Sequence, residues 1–277
     1  MVEPKGHVVR CAGREMHWRE REGTDPAVVL MSGCGLAMEF WRDLIGLLPG
    51  VRVLSYDRPG MGRTRWPGHL PRLAEEVASL AELLDQRGIT RAVLVAHSMA
   101  AFHAEALARI RPNLVSGVVL VDGSVEWYAT RPDLPAPTIA RRVGRVVDAL
   151  SLNRLAGMTF RFGTYLQSNH EFSKLGYGRI PAIYRDADSL AMGVAESMAY
   201  ERQGWDLLQL RPRYPWPGVP TVVLSAADAE DGRWVATQKR LAHLLGARQV
   251  VVPDSKHLMM LDRPDVIVDA IHAVRPS

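Results

Sequence analysis

The chain has 277 residues, of which 47% are hydrophobic and 23% charged, and its 34 basic and 30 acidic side chains leave a net charge of only +4. That balance is too mild for a protein whose affinity comes from neutralising many phosphates, and no stretch gathers like charges into a basic tail, so a nucleic-acid partner is not expected. The apolar fraction, with Gly 23 and Pro 18, likewise excludes a disordered chain and leaves one large domain or two small ones.

Lysine occurs only at Lys5, Lys174, Lys239 and Lys256, so 30 of the basic residues are arginine. With the abundance of Ala and Val, this reads as the coding bias of a GC-rich bacterial genome. The two cysteines, Cys11 and Cys34, fall in separate segments and make no disulfide framework, which suits a reducing compartment. Arginines punctuate the first 22 residues and leave no h-region. No apolar run reaches the length of a membrane span. The expectation is a soluble, cytoplasmic protein of unknown oligomeric state.

In chain order, short β-branched runs bounded by Gly, Pro or Asp predict eight strands. They are His7–Cys11, Glu15–Arg21, Val28–Met31, Val51–Tyr56, Ala92–Ala96, Val118–Val121, Thr221–Leu224 and Gln249–Val252. The first two alternate in polarity across Ala12-Gly13, as an edge hairpin does. The others are almost purely apolar, as strands covered on both faces are. Between them the spacing predicts helices over Leu36–Leu48, Leu73–Arg87, Met99–Ile110, Arg233–Leu245 and Pro264–Val274. In the second, Leu73, Val77, Leu80, Leu83 and Leu84 share a face, while Glu75, Glu76, Glu82 and Asp85 decorate the other. Strands alternating with helices imply a mostly parallel sheet wrapped on both sides. From Ser124 to Arg213 the alternation stops: 90 residues hold helix-like stretches, Ile139–Leu155 and Ala187–Leu210, and no convincing strand. Such a segment is too long for a loop and reads as a helical insertion. The core is then 1–123 with 214–277, and 124–213 is a cap.

The strand Ala92–Ala96 runs directly into His97-Ser98-Met99-Ala100 and a helix. A serine at a sharp strand-to-helix turn presents its Oγ above the sheet edge, with N–H groups of a helix start beside it. Taken alone Ser98 could be a helix N-cap. An activated serine also needs a base and an orienting acid, and two further strand ends supply candidates. Asp228 follows Thr221–Leu224, and His257 follows Gln249–Val252. All three lie after the C-terminal ends of strands, where open α/β sheets place their sites, and in the order Ser, Asp, His. Asp122, at the end of the sixth strand, competes with Asp228 for the acid's role, which could also slip to Glu230 or Asp231. Asp228 is preferred, with Asp122 left to tie down the start of the insertion.

Outside the insertion the chain resembles the α/β-hydrolase superfamily. The resemblance rests on Leu30-Met-Ser-Gly-Cys-Gly35, Tyr56-Asp-Arg-Pro-Gly-Met-Gly-Arg-Thr64, the elbow Ala96-His-Ser-Met-Ala100, Asp228, and His257-Leu-Met-Met-Leu-Asp-Arg-Pro264. It implies that fold: eight mostly parallel strands, helices on both faces, and a cap after strand 6. It also implies that the backbone N–H groups of Cys34 and Met99 form an oxyanion hole. Two departures, Ser32 where the family usually has His and Ala96 and Ala100 where the elbow has Gly, bear on the tuning of the site. The turn glycines Gly60 and Gly62 serve positive φ, not a dinucleotide. No cofactor is expected, and no metal, since neither histidines nor cysteines pair at ligand spacing. His97 is expected to border the pocket.

A cap segment rich in Met and aromatic residues implies a hydrophobic pocket, and hence a small-molecule ester or thioester with an apolar acyl or aromatic group. The expected function is a carboxylesterase-like serine hydrolase. Two alternatives stand beside it. One is C–C bond hydrolysis or cofactor-free perhydrolysis (haloperoxidase chemistry) on the same triad. The other is a non-catalytic ligand-binding homologue.

Overall fold

The computed structural model describes residues 6–125, 130–169, 180–227 and 232–276. Its eight strands form one sheet in the order β1-β2-β4-β3-β5-β6-β7-β8. These are β1 (His7–Cys11), β2 (Arg14–Arg21), β3 (Thr24–Met31), β4 (Val51–Asp57), β5 (Ala92–His97), β6 (Val115–Val121), β7 (Thr221–Ala227) and β8 (Arg248–Pro253). All eight lie over the β-branched runs, with β3 and β6 beginning three or four residues earlier. The first pair is antiparallel through Ala12-Gly13, both at positive φ, as a two-residue hairpin turn requires. β2 is antiparallel to β4, and the rest of the sheet is parallel.

The centre of the sheet shows why its runs are unbroken apolar. On β5, Leu94 and Ala96 pack with Leu80, Leu84 and Phe102 of the helices α2 (Leu73–Gln86) and α3 (Ala100–Ile110). Val93 and Val95 point the other way, into a second cluster with Trp41, Leu44, Ile267 and Ile271. Alternate residues therefore serve opposite cores. Each buried Val or Leu contributes about 2 kcal/mol, so an acidic residue at Val95 would lose the burial and leave a charge without a partner.

Two expectations change in the elements that cover the sheet. Leu36–Leu48 is not one helix but a 3-10 turn, Met38–Trp41, followed by α1 (Arg42–Gly46). Within that stretch Phe40 N–H bonds to Ala37 O at 3.3 Å and Leu47 N–H to Leu44 O at 3.0 Å, the i to i−3 steps of a tighter helix, while its entry is held by Ala37 N–H to the Tyr184 hydroxyl at 3.2 Å and Met38 N–H to Asp57 Oδ1 at 2.7 Å. Glu76, expected on the solvent face of α2, is buried and bonded to Arg14 at 2.7 Å.

Between β6 and β7 lie α4 (Thr138–Ala149), α5 (Asn153–Leu166), α6 (Ile180–Ile183) and α7 (Ala187–Leu210). The expected helix Ile139–Leu155 is interrupted at Ser151, which takes φ 54°. The N-cap of α7 is Asp186, whose carboxylate accepts from Ser189 N–H at 2.8 Å. Gly144 lets α4 approach the start of α7, since a Cβ there would lie 2.5 Å from the Ala187 carbonyl oxygen. The rest of the chain adds α8 (Gly232–Leu244), α9 (Met259–Asp262) and α10 (Pro264–Val274). Among the described residues no helix is long and apolar enough to cross a membrane.

Candidate active site

Ser98 follows the last residue of β5 and has φ 53°, a left-handed conformation costly for a non-glycine residue. The elbow is held by its neighbours: Ser98 N–H donates to Val121 O at 3.1 Å, and Ser98 O accepts from Ser124 N–H at 3.0 Å. Small residues flank the turn, and Ala96, Ala100 and Ala101 are all buried there.

His257, in the loop after β8, places Nε2 at 3.0 Å from Ser98 Oγ. Its Nδ1 lies 2.6 Å from Asp122 Oδ2. The sheet explains this contact. β5 and β6 are neighbours with His97 opposite Val121, so Ser98 and Asp122, the next residue on each strand, emerge at one level. Asp122 adopts φ 46°, which aspartate tolerates better than most side chains. Its other oxygen, Oδ1, accepts from Ala226 N–H at 3.0 Å and Trp234 Nε1–H at 2.7 Å. The preferred acid, Asp228, and its neighbours Glu230 and Asp231 lie outside the described residues. The single Nδ1 of His257 is occupied by Asp122, the competing candidate for the acid.

The loop after β3 faces the elbow. Gly33 to Leu36 form a turn closed by Leu36 N–H to Gly33 O at 3.1 Å, with Gly35 at φ 67°. Positive φ at the third position defines a type II turn and favours glycine there. Gly33 must lack a side chain for another reason: a Cβ would lie 2.7 Å from His97 Nδ1 and 2.8 Å from Ser98 Cβ. Among the described residues, the N–H groups of Cys34 and Met99 donate to no protein acceptor.

A buried brace holds this turn from behind. The Arg58 guanidinium donates to the carbonyl oxygens of Ser32 and Gly33, the latter at 2.6 Å, and pairs with Glu196 of α7. Glu196 in turn accepts from Gly35 N–H at 2.5 Å, and the Tyr184 hydroxyl donates to Gly35 O at 2.8 Å. Burial would lower the Arg58 pKa, but the Glu196 charge and hydrogen bonds outweigh it and raise it, so the guanidinium is charged. Of the three, Arg58 falls in the Tyr56–Thr64 stretch that carries the resemblance, but the sequence reading assigns none of them a role. The one available signal was Glu196 itself, an acidic residue between the small apolar residues Ala195 and Ala199 of a helix.

His97 borders the pocket, as expected. Burial, then the adjacent His257 ring, holds its pKa well below the ordinary imidazole range. Neutral, it donates Nε2–H to the His257 carbonyl oxygen at 2.9 Å and leaves Nδ1 without a partner among the described residues. That tautomer follows from the hydrogen-bond pattern. The Cys34 thiol is pushed up to about 12 by burial and by Glu196, so it is not a thiolate nucleophile at neutral pH. Among the described residues no three His, Cys, Asp or Glu side chains cluster as a metal site would need.

A cavity of about 150 Å³ opens over Ser98 and His257, bounded by Cys34, Leu36, Thr164 of α5 and Gln167 just after that helix. A second, of about 510 Å³, shares Cys34 and is lined by Leu190, Gly193, Val194 and Met198 of α7. A serine hydroxyl, an imidazole, a carboxylate and, among the described residues, two N–H groups without a protein acceptor form an arrangement that can open an acyl carbon to attack and hold the resulting oxyanion.

Comparison with known proteins agrees with this architecture. Over 137 residues the chain is 32% identical to lipase LipV of Mycobacterium tuberculosis, covering 49% of this chain and 48% of that one. Over 111 residues it is 35% identical to the putative carbamate hydrolase RutD of Klebsiella pneumoniae, covering 39% and 40%. The chain therefore spans less than half the length of these curated relatives. Among solved structures, Cfl2 of Burkholderia cenocepacia superposes with a TM-score of 0.76 at 18% identity, covering 98% of this chain and 95% of that one, a likeness of fold. The model of the alpha/beta hydrolase family matches residues 28–270, and the chain belongs to that family.

Proposed function

We propose that this protein is a serine hydrolase acting on carboxylic esters or thioesters with an apolar acyl or aromatic group. The observation that carries this reading is the unbroken relay from Ser98 Oγ to His257 Nε2 at 3.0 Å and from His257 Nδ1 to Asp122 Oδ2 at 2.6 Å. In the reactive tautomer, Nδ1–H donates to Asp122 and Nε2 keeps a lone pair for the serine proton. Ser98 Oγ attacks the ester carbonyl as His257 takes its proton, and Asp122 stabilises the imidazolium. The N–H groups of Cys34 and Met99 hold the oxyanion. His257 then protonates the leaving alkoxide, and water, deprotonated by the same imidazole, releases the acid from Ser98.

In this reading residues 124–213 serve as the cap over the core formed by 1–123 and 214–277. The α7-lined cavity beside Cys34 supports an apolar substituent, because Leu190, Val194 and Met198 offer it no charge to solvate. The names of the two relatives, a lipase and a putative carbamate hydrolase, are consistent with attack at an acyl carbon.

The test is a fluorophosphonate probe on the folded protein, followed by peptide mapping, beside a series of chromogenic esters from acetate to long acyl chains. A Ser98 adduct and ester turnover, both abolished in Ser98→Ala, are the expected results. Wild-type protein that is folded yet neither labelled nor active on any ester refutes the proposal.

A further inference from the structure

The helices α4 and α5 each turn an apolar row to solvent. On α4, Ile139, Val143, Val146 and Leu150 recur at helical spacing, with Val146 51% and Leu150 63% exposed. On α5, Leu155, Met158, Phe162 and Leu166 do the same, with Met158 66% and Phe162 56% exposed. Scattered exposed apolar residues need no explanation, but eight in two rows on consecutive helices form a patch of the kind that marks an interaction surface. Core packing does not account for them, because α4 makes its buried contact through Ala140 and Gly144, on a different face.

The charge beside the patch indicates its partner. Residues 138–167 contain five arginines, at 141, 142, 145, 154 and 161, against one acid, Asp148, a net of +4 that equals that of the whole chain. Arg142 and Arg145 are exposed on α4. An apolar helix face bordered by arginines is the pattern of a helix lying in a membrane interface, apolar side down and guanidinium groups at the headgroups. A second copy of this chain fits less well, since a two-fold contact would bring the same basic segments together. We propose that the exposed faces of α4 and α5 dock this protein on an anionic lipid bilayer.

The placement of α5 gives the docking a consequence. Its Thr164 lines the Ser98 cavity while Phe162 and Leu166 are exposed. Just beyond the helix, Gln167 O accepts from Leu258 N–H at 2.9 Å, and Ser168 Oγ donates to Asp262 Oδ1 at 2.5 Å, so the helix is tied to the His257 loop. A bilayer beneath α4 and α5 would thus lie against the roof of that cavity.

The test is sedimentation of the full chain with phosphatidylcholine vesicles, with and without phosphatidylglycerol, alongside sedimentation equilibrium of the protein alone. The wild type is expected to pellet with anionic vesicles, less so at high salt, and to remain in solution with neutral ones. Arg142→Gln/Arg145→Gln should weaken that binding about 30-fold, from about 1 kcal/mol per basic residue near the surface. Leu150→Ser/Met158→Ser/Phe162→Ser, all at exposed positions, should abolish it without changing thermal unfolding. Wild type that stays in the supernatant, or partitions equally into neutral vesicles, overturns the proposal. A dimer that the triple serine variant dissociates, without vesicle binding, overturns it in favour of a second copy. Neither readout uses hydrolysis, so the outcome is separate from that of the proposed activity.

Discussion

Asp122→Asn tests the proposed relay at its most specific point. Asp122 Oδ1 is committed to two donors, Ala226 N–H at 3.0 Å and Trp234 Nε1–H at 2.7 Å. Neither donor can accept a hydrogen bond, so in the variant the amide oxygen must stay with them and the NH₂ group must face His257 Nδ1. That donor forces Nδ1 to accept, which moves the imidazole proton to Nε2, at the atom that has to receive the Ser98 proton. The base is thereby held in the wrong tautomer with its position unchanged. Losing the correct tautomer and the counter-charge for the imidazolium lowers kcat about 10⁴-fold, or about 5 kcal/mol in transition-state free energy. The assay is kcat and KM on the best chromogenic ester, with thermal unfolding to confirm that the variant folds. Asp228→Asn, measured alongside, should stay within a few-fold of wild type. Activity retained within tenfold in Asp122→Asn, or lost in Asp228→Asn instead, refutes the assignment of the acid.

Gly33→Ala would place a Cβ 2.7 Å from His97 Nδ1 and 2.8 Å from Ser98 Cβ, so the turn must shift. A displacement near 1 Å at the oxyanion donors should cost about 100-fold in kcat/KM, and kinetics that match wild type would contradict the role given to that turn. Neither thiol should react quickly with a disulfide reagent at neutral pH, since Cys34 is pushed up to about 12 and Cys11 to about 11, in both cases by burial first. Spectrophotometric titration should find two slow thiols in folded protein and two fast ones in denaturant. His103 is buried and its pKa is lowered from 6.5 to about 4, chiefly by burial. Its neutral form is favoured by folding, so its stabilisation is complete above pH 6.5 and is lost as pH falls towards 4. The loss amounts to about 3 kcal/mol. Urea unfolding across that range should show a shallower pH dependence in His103→Gln, and an unchanged one would remove His103 as the source.

Much of this molecule is legible without coordinates because the signals are local. Strands covered on both faces must be apolar throughout, so the runs Val28–Met31, Ala92–Ala96 and Val118–Val121 mark the sheet centre by composition alone. The elbow is equally local: a serine between a buried strand and a helix of small residues has one steric solution, and Ser98 takes it at φ 53°. His257, in a loop after a strand where no core requires it, stands out for the same reason.

What sequence leaves open depends on which strand ends meet. Asp122 and Asp228 are both acids after strands and both fall between Ser98 and His257, so chain order does not separate them. Only the pairing of β5 with β6, which brings Asp122 level with Ser98, delivers its carboxylate to His257 Nδ1. Where one helix is expected over Leu36–Leu48, the chain instead enters through a 3-10 turn whose first N–H groups are held by Tyr184 and Asp57, residues remote in the chain. The brace of Arg58, Glu196 and Tyr184 around the Gly33–Leu36 turn joins segments more than 100 residues apart, and no periodicity records it. Composition and pattern determine which segments are strands and helices and which serine is exposed at an elbow, because burial and backbone sterics act within a few residues. Which carboxylate lies beside His257 and what supports the Gly33–Leu36 turn were decided by tertiary structure, because both depend on distances between side chains that the sequence sets far apart.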